Sequence, residues 1–277
     1  MICESEIRVL RTKAREVRVA TLDAFGRLGV GHVGGALSVI EVLTILYYRH
    51  MKVDPSNPRW SERDKLVLSK GHAGPALYSV LADKGFFPAD WLQTLNRGGT
   101  SLPSHCDMRR TPGIDMTTGS LGQGISAAIG LALGNRLNRH PGEIYLIIGD
   151  GESNEGQIWE GAMCAAHYRL GNLIGFLDYN HMQIDGYTKD IMDIDVPEEK
   201  WAAFGWFAQR VDGHDFAQLD AAIERAKAEP ARPSMIVMDT VKGKGAYFAE
   251  DNIGNHNMKV DGAMASEAIR RLMEEVL

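Results

Sequence analysis

Asp150 and Asn180 are the residues of this 277-residue chain whose types and spacing most directly specify chemistry. Asp150 lies inside a glycine turn, Gly149-Asp150-Gly151, which ends the apolar run Ile144 to Ile148. Asn180 follows a second apolar run, Leu173 to Leu177, in Asp178-Tyr179-Asn180. The small residues of Gly156 to Ala166 between them suit a helix packed closely on a sheet. In a parallel βαβ unit both turns fall at the carboxyl edge of adjacent strands, where open α/β sheets take ligands. The carboxylate and the amide then face one point. A glycine turn offers N–H groups to a phosphate, but Asp150 repels a diphosphate unless a divalent cation lies between them. Asp150 Oδ, Asn180 Oδ and a backbone carbonyl just beyond Asn180 suit Mg²⁺, with Ca²⁺ a substitute from the same class of oxygen-seeking ions. A dinucleotide fingerprint starting at Gly149 fails at Asn154, and no G-x-x-x-x-G-K-[ST] occurs. The alternative for the glycine turn alone is an ordinary strand-to-helix connection with Asp150 as its cap.

The elements that must carry these residues follow from the apolar pattern. Strand-like runs at Lys65 to Leu68, Ile144 to Ile148, Leu173 to Leu177, Phe207 to Val211 and Met235 to Met238 alternate with helical stretches. That alternation predicts an α/β fold with a mostly parallel central sheet covered by helices on both faces. With 44% apolar residues and no linker or repeat, residues 1–277 read as a single domain. The charge of −6 argues against nucleic acid, which requires dense basic patches. Arg8, Arg11, Lys13, Arg15 and Arg18 read as a solvated helix face. Three cysteines, Cys3, Cys106 and Cys164, lack metal-like spacing, and a Cys106 nucleophile beside His105 has little support from adjacency alone. The absence of a signal sequence or a membrane-length apolar run predicts a cytoplasmic protein with no membrane contact.

Four of the nine histidines sit beside glycines or in turn-rich loops. They are His32 in Gly31-His32-Val33-Gly34-Gly35, His72 in Ser69-Lys70-Gly71-His72, His105 in Leu102-Pro103-Ser104-His105, and His256 in Gly254-Asn255-His256-Asn257. Each alone reads as a hydrogen-bonded loop histidine, although an imidazole can donate or accept a proton at neutral pH.

Taken with these blocks, the sequence resembles the thiamine diphosphate enzymes, and within them the transketolases. The resemblance rests on the glycine turn with Asn180 about thirty residues on, Gly31-His32, Leu66-Val67-Leu68-Ser69-Lys70-Gly71-His72-Ala73, and Thr117-Thr118-Gly119-Ser120-Leu121-Gly122-Gln123-Gly124. It implies the diphosphate-binding (PP-type) thiamine diphosphate fold, with thiamine diphosphate and Mg²⁺ as cofactors. By resemblance, Asp150, Asn180 and the main chain of Met182 hold the metal. Gly151, His72, Gly119, Leu121, Asn180, Lys242 and His256 meet the cofactor, while a solvated turn remains the other reading of Lys242. His105 is implied at the first hydroxyl of a ketose donor, with His32 and His256 at its third. The loop around His256 departs from the family's His-Gly pair. Glu155 is implied in a contact between two cofactor sites, its other reading being a first-turn helix acid.

In that family a glutamate from a separate pyrimidine-binding domain activates the cofactor, and this sequence carries no such domain. The chain closes on a helix-like stretch, Ala265 to Leu277, which reads as a subunit boundary. The expectation is the amino-terminal subunit of a split transketolase that moves a two-carbon ketol unit between sugar phosphates. It would require a partner bearing the pyrimidine and carboxyl-terminal domains, as in an α₂β₂ assembly. The alternatives are a split transketolase for a branched or sulfonated sugar, a deoxyxylulose phosphate synthase-like protein, a ketoacid dehydrogenase α subunit, and a noncatalytic cofactor-binding subunit.

Overall fold

The five apolar runs become one parallel sheet in the computed structural model, which describes residues 2–184 and 186–275. The first half of the chain forms α1 (Glu4–Leu28), β1 (Val30–Gly31), α2 (Val33–Leu37), α3 (Ile40–Ile45), β2 (Lys65–Leu68), α4 (Gly74–Asp83) and α5 (Gln123–Asn138). There follow β3 (Ile144–Gly149), α6 (Gly156–His167), β4 (Leu173–Tyr179), β5 (Met182–Gln183), β6 (Gly186–Tyr187), α7 (Thr188–Ile191) and α8 (Pro197–Ala203). The chain continues through β7 (Phe207–Asp212), α9 (Phe216–Lys227), β8 (Ser234–Asp239), β9 (Met258–Lys259) and α10 (Gly262–Glu274). The expected closing helix is α10, and its last expected residues, Val276 and Leu277, lie outside the described residues.

Strand order in the main sheet is β2-β3-β4-β8-β7, every neighbour parallel. Side chains of a strand alternate between faces, and both faces here are apolar. Tyr145, Ile147, Ile174, Phe176, Ile236 and Met238 join one core with α1 to α4, α9 and α10. Ile144, Leu146, Ile148, Leu173, Leu177 and Val237 join a second core with α5, α6 and Trp201 of α8. Each such side chain contributes roughly 1.5–3 kcal/mol when fully buried, so the two cores make the sheet rigid. No helix among the described residues is long and apolar enough to cross a membrane.

Arg18 departs from the expected solvated face of α1. Arg8 and Arg11 are exposed, but Arg18 is buried and its Nη2 meets Glu41 Oε1 at 2.6 Å. Sequence position on a long helix did not reveal this, because α3 covers that turn and supplies the countercharge.

Candidate functional site

Four strands of the sheet end along one edge, each reaching as far as its neighbour or one or two residues further. In the register, Leu68 lies opposite Ile147, Gly149 opposite Asp178, and Tyr179 opposite Asp239. The residues just past each end, Lys70, Asp150, Asn180 and Thr240, therefore gather on one rim. A cavity of about 460 Å³ opens there, lined in part by Lys70, His72, Asp150, Gly151, Met182 and Lys242. Leu121, Glu155 and His256 also line it.

Asp178 organises the rim from below. It is fully buried, takes the Lys70 ammonium in an ion pair, and accepts from Ser38 Oγ (2.7 Å), the Thr240 hydroxyl and Asn180 Nδ2 (2.9 Å). Burial opposes its charge, but Lys70 and these donors prevail and hold the carboxyl below its ordinary value. Asn180 is fixed on both sides, since its Oδ1 also accepts from Met182 N–H at 3.2 Å. Met182 in turn lines the cavity wall.

Asp150 has weaker support. It is 2% exposed and accepts from Gly151 N–H (2.8 Å) and the Thr188 hydroxyl (3.3 Å), both neutral donors. Burial, followed by repulsion from Asp178, pushes its carboxyl up to about 7. The Gly151 N–H bond makes Asp150 the cap of a short turn, as the capping alternative expects. Gly151 brings the backbone close to Gln183, where a Cβ would come within 2.6 Å of Gln183 Cβ.

The four loop histidines converge. Ring centroids of His32 lie 5.4 Å from those of His72, His105 and His256, and His72 lies 5.0 Å from His256. Gly35 allows this approach, since a Cβ there would stand 2.9 Å from His72 Nε2. Burial depresses the pKa of His32, His72 and His105. For His72 the shift is large, with Lys70 and the neighbouring imidazoles adding to burial. These three rings are therefore neutral at pH 7 and able to accept a proton or a hydroxyl hydrogen.

The remaining sequence candidates fall at the edges of this arrangement. Lys242 is 3% exposed and its Nζ donates to Ile184 O at 3.3 Å, which overturns the solvated-turn reading. Gly119 lines a neighbouring hollow, and a Cβ there would lie 3.5 Å from His105 Cδ2. Glu155 is exposed and stands at the cap position before α6, so it is not a first-turn helix residue. Cys106 is buried, with its thiol pushed up to about 12 by burial, which removes it as a nucleophile.

Three charged residues of the rim escaped sequence reasoning: Lys70, Asp178 and Glu152. Glu152 is buried and accepts from Gly149 N–H (3.1 Å), Gly122 N–H (2.9 Å) and the Ser69 hydroxyl, tying the glycine turn to the start of α5. The signal in the sequence was a charge beside an apolar run, which burial turns into an obligation to find a partner. Among the described residues no group of three His, Cys, Asp or Glu side chains could hold a metal. The metal reading thus depends on one carboxylate, one amide and a main-chain carbonyl. That set suits a hard cation shared with a diphosphate, and Asp150, buried and hydrogen-bonded to neutral donors, is the kind of ligand such a cation would relieve.

Comparison with known proteins gives this rim its context. Residues 10–273 match the family "Transketolase, thiamine diphosphate binding domain". The 6-deoxy-6-sulfo-D-fructose transketolase subunit SqwG of Clostridium sp. (strain MSTE9) is 58% identical over 96% of this chain and 97% of that protein. An apulose-4-phosphate transketolase subunit of Actinobacillus succinogenes is 37% identical, with 96% of each chain covered. The crystal structure of transketolase from Campylobacter jejuni superposes with a TM-score of 0.91 at 29% identity, covering 96% of this chain and 43% of that one. The chain thus spans less than half of that full-length transketolase but nearly all of the two subunits. The chain belongs to the transketolase family, matching its thiamine diphosphate-binding domain.

Proposed function

We propose that this chain is the amino-terminal subunit of a split transketolase, a single PP-type domain that holds the diphosphate end of thiamine diphosphate through Mg²⁺ or Ca²⁺. The observation that carries the proposal is the convergence of four imidazoles, with ring centroids 5.0 to 6.5 Å apart, beside the cavity that Asp150 and Gly151 line. The chemistry that thiamine diphosphate supplies when bound is a nucleophilic carbon and an electron sink for cleaving the C2–C3 bond of a ketose.

The residues of this chain bind and orient. Asp150, Asn180 and the Met182 carbonyl would hold the cation, with Gly151 N–H and His72 at the diphosphate. Gly119, Leu121 and Lys242 would bound the cofactor. His105 would hold the first hydroxyl of the donor. His32, neutral at pH 7 because of its burial, would accept the proton of the third hydroxyl together with His256. Glu155, exposed at the cavity mouth, would meet a second copy of the site.

Completion of the site is assigned to a partner chain carrying the pyrimidine-binding and carboxyl-terminal domains, in an α₂β₂ assembly. Two relatives named as transketolase subunits, matched over nearly their whole length, support that division. Three free thiols agree with a reducing, cytoplasmic setting. The 58% identity to a sulfofructose transketolase subunit favours a sulfonated ketose donor over xylulose 5-phosphate of the pentose phosphate route. Ketol transfer should be assayed with this chain alone and with its co-purified partner, offering 6-deoxy-6-sulfofructose, apulose 4-phosphate and xylulose 5-phosphate as donors. Turnover by the isolated chain would end the split-subunit reading, and a preference for either phosphate sugar would end the sulfonate reading.

A further inference from the structure

Beyond β8 the chain runs through Thr240 to Gly245, of which Lys242 lines the cavity, and this segment is held by its backbone at successive residues. Val241 N–H donates to His214 Nε2 at 2.9 Å, and Lys242 O accepts from Asn255 Nδ2 at 3.2 Å. Gly243 N–H donates to Gly34 O at 3.0 Å, and Lys244 O accepts from Arg18 Nε at 2.9 Å. Because His214 Nε2 accepts an N–H, its proton resides on Nδ1, which donates to Glu41 Oε2 at 3.0 Å. The other Glu41 oxygen takes Arg18 Nη2 at 2.6 Å. Burial opposes the Glu41 charge, yet Arg18 and His214 hold its carboxyl down to about 2.

Arg18, Glu41 and His214 come from α1, α3 and the turn after β7, and they meet at one stretch of backbone. Stability alone explains such a group poorly, because a buried ion pair is often no better than the apolar residues that could replace it. Its geometry is specific instead. The tautomer of His214 is fixed by Glu41, the Glu41 rotamer is fixed by Arg18, and both Arg18 and His214 end on the segment that carries Lys242.

We infer that His214, oriented by Glu41 and Arg18, is a positioning residue that fixes Val241 and so sets the Lys242 ammonium at the cofactor cavity. The inference rests on the reading of Lys242 as a cofactor contact. It explains why a lysine in a loop after β8 is 3% exposed and held at the cavity wall.

The test is titration of thiamine diphosphate with Mg²⁺ into the complex with the co-purified partner, followed by tryptophan fluorescence and calorimetry. His214→Asn can keep the Glu41 bond, because its amide takes the place of Nδ1, while leaving Val241 N–H without its acceptor. It should raise the cofactor Kd about tenfold, the loss of one hydrogen bond, with an unfolding temperature close to that of the parent. In a Lys242→Ala background the same substitution should change Kd less than about twofold, since the two act in series. His214→Ala should reproduce the coupling. An unaltered Kd in Lys242→Ala would overturn the cofactor reading of Lys242 and this inference together. Weakened binding in Lys242→Ala, with the His214→Asn effect undiminished in that background, would overturn the positioning role alone.

Discussion

Replacing Asp150 by asparagine removes an ionisation that the fold resists. The Asp150 carboxyl is 2% exposed, and burial with Asp178 beside it raises its pKa from 3.8 to about 7. Between those values the native state retains a proton that the unfolded chain has released, so stability falls as pH rises through this window. The interval amounts to about 4 kcal/mol, at about 1.4 kcal/mol per tenfold change in proton affinity. An asparagine has no such penalty. In metal-free protein held in chelator, urea unfolding from about pH 5 to about pH 8 should show Asp150→Asn gaining on the parent by a few kcal/mol. Glu143, which burial also lifts to about 7, titrates in both proteins and cancels in the difference. With Mg²⁺ and thiamine diphosphate added the order should reverse at high pH, because only the carboxylate recruits the cation. A stability difference that stays flat with pH would refute the idea that burial keeps this carboxyl protonated until a metal arrives.

Other perturbations separate the parts of the rim. His105→Ala in the assembled enzyme should lower turnover by about a hundredfold while leaving cofactor Kd nearly unchanged, as a donor-hydroxyl contact requires; binding assays beside kinetics would reveal the reverse. Asp178→Asn leaves the Lys70 ammonium buried without its carboxylate and should cost about 3–5 kcal/mol in urea unfolding. Because Asp178 also repels Asp150, that variant should lower the pKa of Asp150, observable as a shift of its pH–stability profile toward acid. Gly151→Ala places a Cβ within 2.6 Å of Gln183 Cβ and should destabilise by about 1–3 kcal/mol, with a larger proportional loss of cofactor affinity.

Much of the scaffold was legible in the sequence because strands buried on both faces must be continuous apolar runs. Ile144 to Ile148 and Leu173 to Leu177 could be little else, and each extends by only one or two further residues into the site. The short pairs β1 with β9 and β5 with β6 gave no such sign, being two-residue ladders too brief to leave an apolar pattern. Individual histidines carried no message of convergence; the blocks resembling transketolases supplied it. The buried charges were the hardest to read. Lys70, Arg18 and Glu41 look like surface residues by type, and only the packing of another element over each one reveals the partner that makes burial tolerable.

The shared register of the strands turns chain length into a ruler. Asp150 and Asn180 come to the same edge because β3 and β4 start in step, Ile144 opposite Leu173, and hold that register to Gly149 opposite Asp178, one residue before β4 ends. Inserting or deleting one residue inside either strand would throw every following side chain onto the opposite face and shift one ligand along the strand direction, relative to the other, by about 3.3 Å. Indels should therefore be admitted freely at the amino-terminal edge of the sheet, far from the chemistry, and refused within the strands, so the spacing of these two ligands is protected more strictly than the identity of the apolar residues between them.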